Sequence, residues 1–124
     1  MRILVIFISL IFIVSDLFSA VIKNHGTKIF LNNNVFMKVV NLEMKNDNSG
    51  SIIVRDTSEL RVVGADFINQ SGTVNLKDVS LLEVSENLIN NDAYNNESSS
   101  HTVVKKNVVN SGDINNASMI EIGE

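Results

Sequence analysis

The chain has 124 residues, a formal charge of −4 and neither cysteine, proline nor tryptophan. That length allows one small domain behind any leader, and an acidic balance with Lys and Arg scattered singly argues against nucleic acid as a partner. An exported chain of this size with no disulfide must find its stability in something other than cross-links.

The first segment reads MRILVIFISLIFIVSDLFSA. Arg2 precedes an apolar stretch from Ile3 to Val14, followed by a more polar piece ending in Ser19 and Ala20. This is the layout of a secretory signal peptide, expected to form a helix over residues 1–20 and to be cleaved after Ala20. The apolar run is shorter than the ~20 residues a membrane-crossing helix needs. Asp16 and Phe18 make the cleavage site imperfect, and an uncleaved anchor is the alternative. Residues 21–124 are then a single domain, secreted or held at the cell surface, touching a membrane only through an uncleaved leader.

That domain repeats itself. SGSIIVRDTSELRV at 49–62 is echoed by SGTVNLKDVSLLEV at 71–84. MKVVNLEMKN at 37–46 aligns with LRVVGADFIN at 60–69, then with LEVSENLIN at 82–90 and HTVVKKNVVN at 101–110. The alignment yields apolar columns: Val39, Val62, Val84 and Val104; Met44, Phe67, Leu88 and Val108; Met37, Leu60, Leu82 and, more weakly, Thr102. A polar column follows Asn46, Asn69, Asn90 and Asn110, and a turn column follows Gly26, Gly50, Gly72, Asp92 and Gly112. Unequal steps in the turn column point to insertions at corners.

Within each unit apolar residues alternate. Ile52 and Val54 are expected inward with Ile53 outward, Val74 and Leu76 inward with Asn75 outward, and Leu60 and Val62 flank Arg61 as Leu82 and Val84 flank Glu83. Period two is the strand period. A unit with a few short strands cannot bury its apolar side alone, but stacked copies can. The expected fold is all-β: a short parallel β-solenoid of about five coils, 20–24 residues per coil. Like residues would lie over like at roughly 4.8 Å. The Asn column would form amide ladders along a corner, and the Gly column would mark corners needing positive φ. The alternative is an antiparallel sandwich, which needs no equivalence between units and favours Asn-Gly or Asp-Gly hairpins; the sequence has neither dipeptide.

FINQSGTV at 67–74, NLINND at 87–92 and NVVNSGDI at 107–114 share an apolar, Asn, small, Gly, apolar corner. In this the chain resembles the parallel β-helix repeats of bacterial secreted surface proteins, the filamentous haemagglutinin-like and autotransporter adhesins, over about residues 24–122. The resemblance implies an extracellular scaffold or adhesive surface, with the chain a truncated or partial member. It implies host or cell-surface glycans or proteins as partners.

Some β-helix proteins are polysaccharide lyases or hydrolases, so acidic pairs need weighing. The repeat places Asp56 over Asp78 and Arg55 over Lys77. A glycosidase needs two carboxyls roughly 5–9 Å apart flanking a groove. These charges belong to the repeat itself, and no aromatic sugar platform accompanies them, so they read as a solvated corner. Arg61 with Glu83, and Lys77 with Glu97, read as cross-coil pairs on the outer face. His25 and His101 are isolated and near turns, without an HxH or HExxH pattern, and read as exposed rather than metal-binding.

Asn69, Asn96 and Asn116 begin glycosylation sequons, expected by chance in an Asn- and Ser-rich chain. YNNESSSH at 94–101 is the least repetitive stretch: a degenerate polar coil, or a protruding loop that contacts a partner. MIEIGE at 119–124 re-enters the strand seen as LLEVSE at 81–86, which leads to an expectation of either a C-terminal continuation or end-to-end self-association. The sequence therefore points to a non-enzymatic structural or adhesive surface module with no catalytic residue, cofactor or metal. A carbohydrate-active β-helix enzyme and a self-assembling extracellular fibre subunit are the alternatives.

Overall fold

The computed structural model describes residues 20–123, so the signal-peptide reading of residues 1–20 falls almost wholly outside it. Five successive coils each contain three short strands. The first comprises β1 (Val21–His25), β2 (Lys28–Leu31) and β3 (Phe36–Val40); the second β4 (Glu43–Asp47), β5 (Gly50–Val54) and β6 (Glu59–Val63). The third comprises β7 (Phe67–Asn69), β8 (Gly72–Leu76) and β9 (Leu81–Val84), and the fourth β10 (Leu88–Asn90), β11 (Ala93–Asn96) and β12 (His101–Val104). The fifth comprises β13 (Val108–Asn110), β14 (Asp113–Asn116) and β15 (Met119–Ile122).

Every third strand pairs with its counterpart, always in parallel, giving three five-stranded faces: β1-β4-β7-β10-β13, β2-β5-β8-β11-β14 and β3-β6-β9-β12-β15. The molecule is a parallel β-solenoid, and the antiparallel alternative is excluded. The period-two pattern explains the geometry: alternate side chains of each strand point to the inside of the coil, and only the parallel register puts like over like. Val39 pairs with Val62, Val62 with Val84, and Val84 with Val104. Met44, Phe67, Leu88 and Val108 form a second file, extended by Ile22. Met37, Leu60, Leu82 and Thr102 form a third.

The core is the sum of these files. Ile52, Val54, Leu60, Val62, Phe67, Val74, Leu76, Leu82, Val84 and Leu88 have no exposed surface. Fully burying one such side chain is worth ~1.5–3 kcal/mol. Between coils the steps on the second face shorten from Lys28–Ser51 to Ala93–Asp113, and the difference is taken up at corners while the register of each face is kept.

The turn column is corrected in two ways. Lys28 stands opposite Ser51, so Thr27, not Gly26, occupies the place of Gly50. Gly26 has φ 63°, but Gly50, Gly72 and Gly112 are not among the positive-φ glycines. Gly72 is needed for closeness instead: a Cβ there would lie 2.3 Å from the Gly50 carbonyl oxygen and 2.7 Å from Asn46 Nδ2. Left-handed corners fall mostly on Asn33, Asn34, Asn41, Asn48, Asp56 and Asp78, side chains that tolerate that conformation.

Candidate functional site: corner carboxylates and amide ladders

Asp56 and Asp78 do lie on neighbouring coils. Each sits at the left-handed position of its corner, with φ 59° and 55°. Asp56 Oδ2 accepts the backbone N–H of Asn33 at 3.0 Å, and Asp78 Oδ2 accepts that of Asp56 at 3.3 Å. Arg55 Nε stands 3.5 Å from both carboxylates. The pair therefore fastens one corner to the next, with the guanidinium offsetting the like charges. The other aligned pairs form as expected: Arg61 to Glu83 at 3.0 Å and Lys77 to Glu97 at 3.3 Å. Arg61 also chelates Glu59 and lies over the Phe36 ring, 5.7 Å from its centre. All are part-exposed, so they favour register more than stability.

The histidines are less isolated than their sequence neighbours suggest. Parallel register sets His25 against Asp47, with Nδ1 2.6 Å from Oδ1, and Lys23 reaches the other oxygen at 3.1 Å. Partial burial pushes the Asp47 pKa up, but the hydrogen bonds from His25 and Lys23 outweigh it and hold the carboxyl below its ordinary value of 3.8. Because the folded-state pKa is depressed, this carboxylate stabilises the fold above its unfolded-state pKa, and the benefit fades as pH falls through the folded-state value. Asp47→Asn should thus flatten the acid limb of a thermal-stability profile taken from about pH 7 to about pH 2. An unchanged limb would assign the acid sensitivity elsewhere. His101 lies outward on β12, 3.8 Å from Glu121. No group of three His, Cys, Asp or Glu side chains among the described residues is placed to hold a metal ion.

The segment 94–101 is a regular coil, not a protruding loop. Tyr94 occupies the interior file of Ile52, Val74 and Ile114 and is fully buried. Its hydroxyl meets Thr102 Oγ1 at 2.6 Å, and burial raises its pKa well above the usual phenol value. The unexpected Thr102 in an otherwise apolar file is thereby explained: in the fourth coil a Tyr–Thr pair replaces the Val74 and Leu82 of the third. Ser100 Oγ donates to Asn96 Oδ1 at 2.7 Å, so this buried hydroxyl finds its partner within the fourth coil.

The longest continuous device is the inner amide ladder. Asn24 Nδ2 donates to Asn46 Oδ1 at 2.8 Å, Asn46 to Asn69 at 2.9 Å, Asn69 to Asn90 at 2.8 Å and Asn90 to Asn110 at 2.9 Å. The same amide groups reach corner carbonyls, as Asn69 does to Gly72 O at 3.0 Å and Ala93 O at 3.1 Å. Asn24, Asn46, Asn69 and Asn90 are buried. An outer ladder, missed in the sequence, runs Asn115 to Asn95 to Asn75 at 2.8 and 2.7 Å and donates in the opposite direction. The even spacing of those three asparagines was the available signal. With Asn96, Glu97, Asn116 and Ala117 they line a shallow depression. A second one holds Glu43, Asp66 and Glu86, and neither includes Asp56 or Asp78.

The residues described make this an Asn-laddered parallel β-solenoid. No protein-family model, no curated protein and no solved structure matches the chain.

Proposed function

We propose that this chain is a secreted or surface-exposed structural module, of the kind found in haemagglutinin-like exoproteins, whose repetitive outer faces serve as scaffold or adhesive surface without catalysis. The observation that supports this reading is the engagement of Asp56 and Asp78. Asp56 Oδ2 and Asp78 Oδ2 each accept a backbone N–H of the preceding corner, and Arg55 Nε stands against both carboxylates, so the pair is engaged in joining corners. Glycans or proteins at a cell surface are the partners proposed, met by many equivalent weak contacts along a face rather than by one site.

The test pairs binding with turnover. The purified chain should bind components of an array of surface glycans and proteins while leaving a panel of polysaccharides intact. Asp78→Asn should keep both the fold and the binding, since the amide oxygen still accepts the Asp56 N–H. Polysaccharide cleavage by the parent chain that disappears in Asp56→Asn or Asp78→Asn would replace this reading with the enzymatic one.

A further inference from the structure

We infer that the two ends of the solenoid are complementary, so that coil β13–β15 of one copy receives coil β1–β3 of a second copy, head to tail and in unbroken parallel register. The inference goes beyond the scaffold reading and rests on the fold alone. Among the described residues, the outer edges of β1, β2 and β3, and of β13, β14 and β15, have no strand neighbour. Such edges template further pairing.

The inner ladder has a direction. Every amide donates toward the fifth coil, so Asn24 presents an acceptor oxygen at the first edge, where Thr27 Oγ1 donates to it. At the far edge Asn110 presents its Nδ2, bonded so far only to Gly112 O at 2.9 Å. Stacking a second copy lets Asn110 donate to Asn24 and continues the ladder through the junction.

Register then fixes the remaining contacts. The column of Lys28, Ser51, Thr73, Ala93 and Asp113 brings Asp113 against Lys28 of the next copy. The column that begins at Lys38 and Arg61 and ends at Glu121 brings Glu121 against Lys38. Lys38 has the like charge of Arg61 on its other side, so a carboxylate at the junction is what it lacks. Phe36 and Met119, 57% and 53% exposed, come together, as do Val39 and Ile122 in the interior file. One interior pair is unlike, Leu31 on Asn116, and it repeats the step from Leu76 to Asn96 already present inside the chain.

Sedimentation velocity of the purified chain over a range of concentrations tests this. The expected result is a series of species growing with concentration and shrinking with added salt, because two of the junction pairs are charged and exposed. Glu121→Lys or Lys38→Glu alone should weaken association about tenfold, and the double reversal Lys38→Glu/Glu121→Lys should restore it. Asn110→Asp keeps the oxygen that accepts from Asn90 but removes the donor to the next copy; it should abolish association with the β-sheet circular dichroism unchanged. A parent chain that stays monomeric with a native spectrum would overturn the inference, as would association indifferent to the single reversals or not rescued by the double one.

Discussion

Replacing Asn69 with alanine should lower the unfolding free energy by about 3–5 kcal/mol, read as a shift of the urea midpoint at constant slope. Asn69 has no exposed surface, donates to three acceptors and accepts from Asn46. Deleting its amide leaves Asn90 Oδ1 without the donor it has now and strips one bond each from the Gly72 and Ala93 carbonyls. A buried polar group left unpaired costs ~1–3 kcal/mol. Asn46 suffers less, because its Nδ2 keeps Gly50 O at 3.0 Å and Thr73 O at 3.3 Å. The loss is a large share of the ~5–15 kcal/mol typical of a domain. Asn115→Ala is the control: it removes one exposed bond, to Asn95, and should change stability by no more than ~0.5 kcal/mol. Near-equal effects of the two substitutions would show that the inner ladder is not what locks the coils together.

Phe67→Ala should cost a similar amount, ~3–5 kcal/mol, for a different reason. Phe67 fills the middle of the file between Met44 and Leu88, and its side chain is among the largest fully buried. Truncation leaves a void in the third coil that both neighbours border. In a stack where each coil touches only the next, that void weakens both interfaces of the central coil. Two coils would remain on each side, fewer than the ~3 repeats such a stack needs to stand alone, so unfolding should remain a single step. Tyr94 is the only tyrosine, there is no tryptophan, and its fluorescence reports on the fourth coil alone. Coincidence of that signal with far-ultraviolet circular dichroism along a urea titration checks the single step. Separate midpoints would mean that the coils uncouple.

The apolar files were legible in the sequence because parallel stacking demands similar shapes at equal intervals, and Val39, Val62, Val84 and Val104 meet that demand openly. The ladder from Asn46 onward was legible for the same reason. Its first member, Asn24, was obscured by Gly26: a glycine two residues beyond it suggested the wrong alignment, whereas the place opposite Gly50 belongs to Thr27. The role of Gly72 was hidden because crowding by the adjacent coil leaves no trace in local sequence. Asp56 and Asp78 could be aligned, but their left-handed backbone and their bonds to the preceding corner exist only once the coils are stacked. Tyr94 was hardest to place. Asn95, Asn96 and Glu97 follow it, and the loss of bulk from Leu82 to Thr102 across the interior makes room for it.

Because the strands of each face are neighbours across coils, the hydrogen bonds between coils run along the long axis of the molecule. Tension applied to the two termini therefore loads the outermost coil first and peels it away before its neighbour feels the strain. Each coil released, such as the twenty residues between Thr73 and Ala93, would pay out about 70 Å of slack. Under axial load the stack should therefore begin to lengthen from an end, coil by coil, until fewer than ~3 coils remain and the rest gives way together.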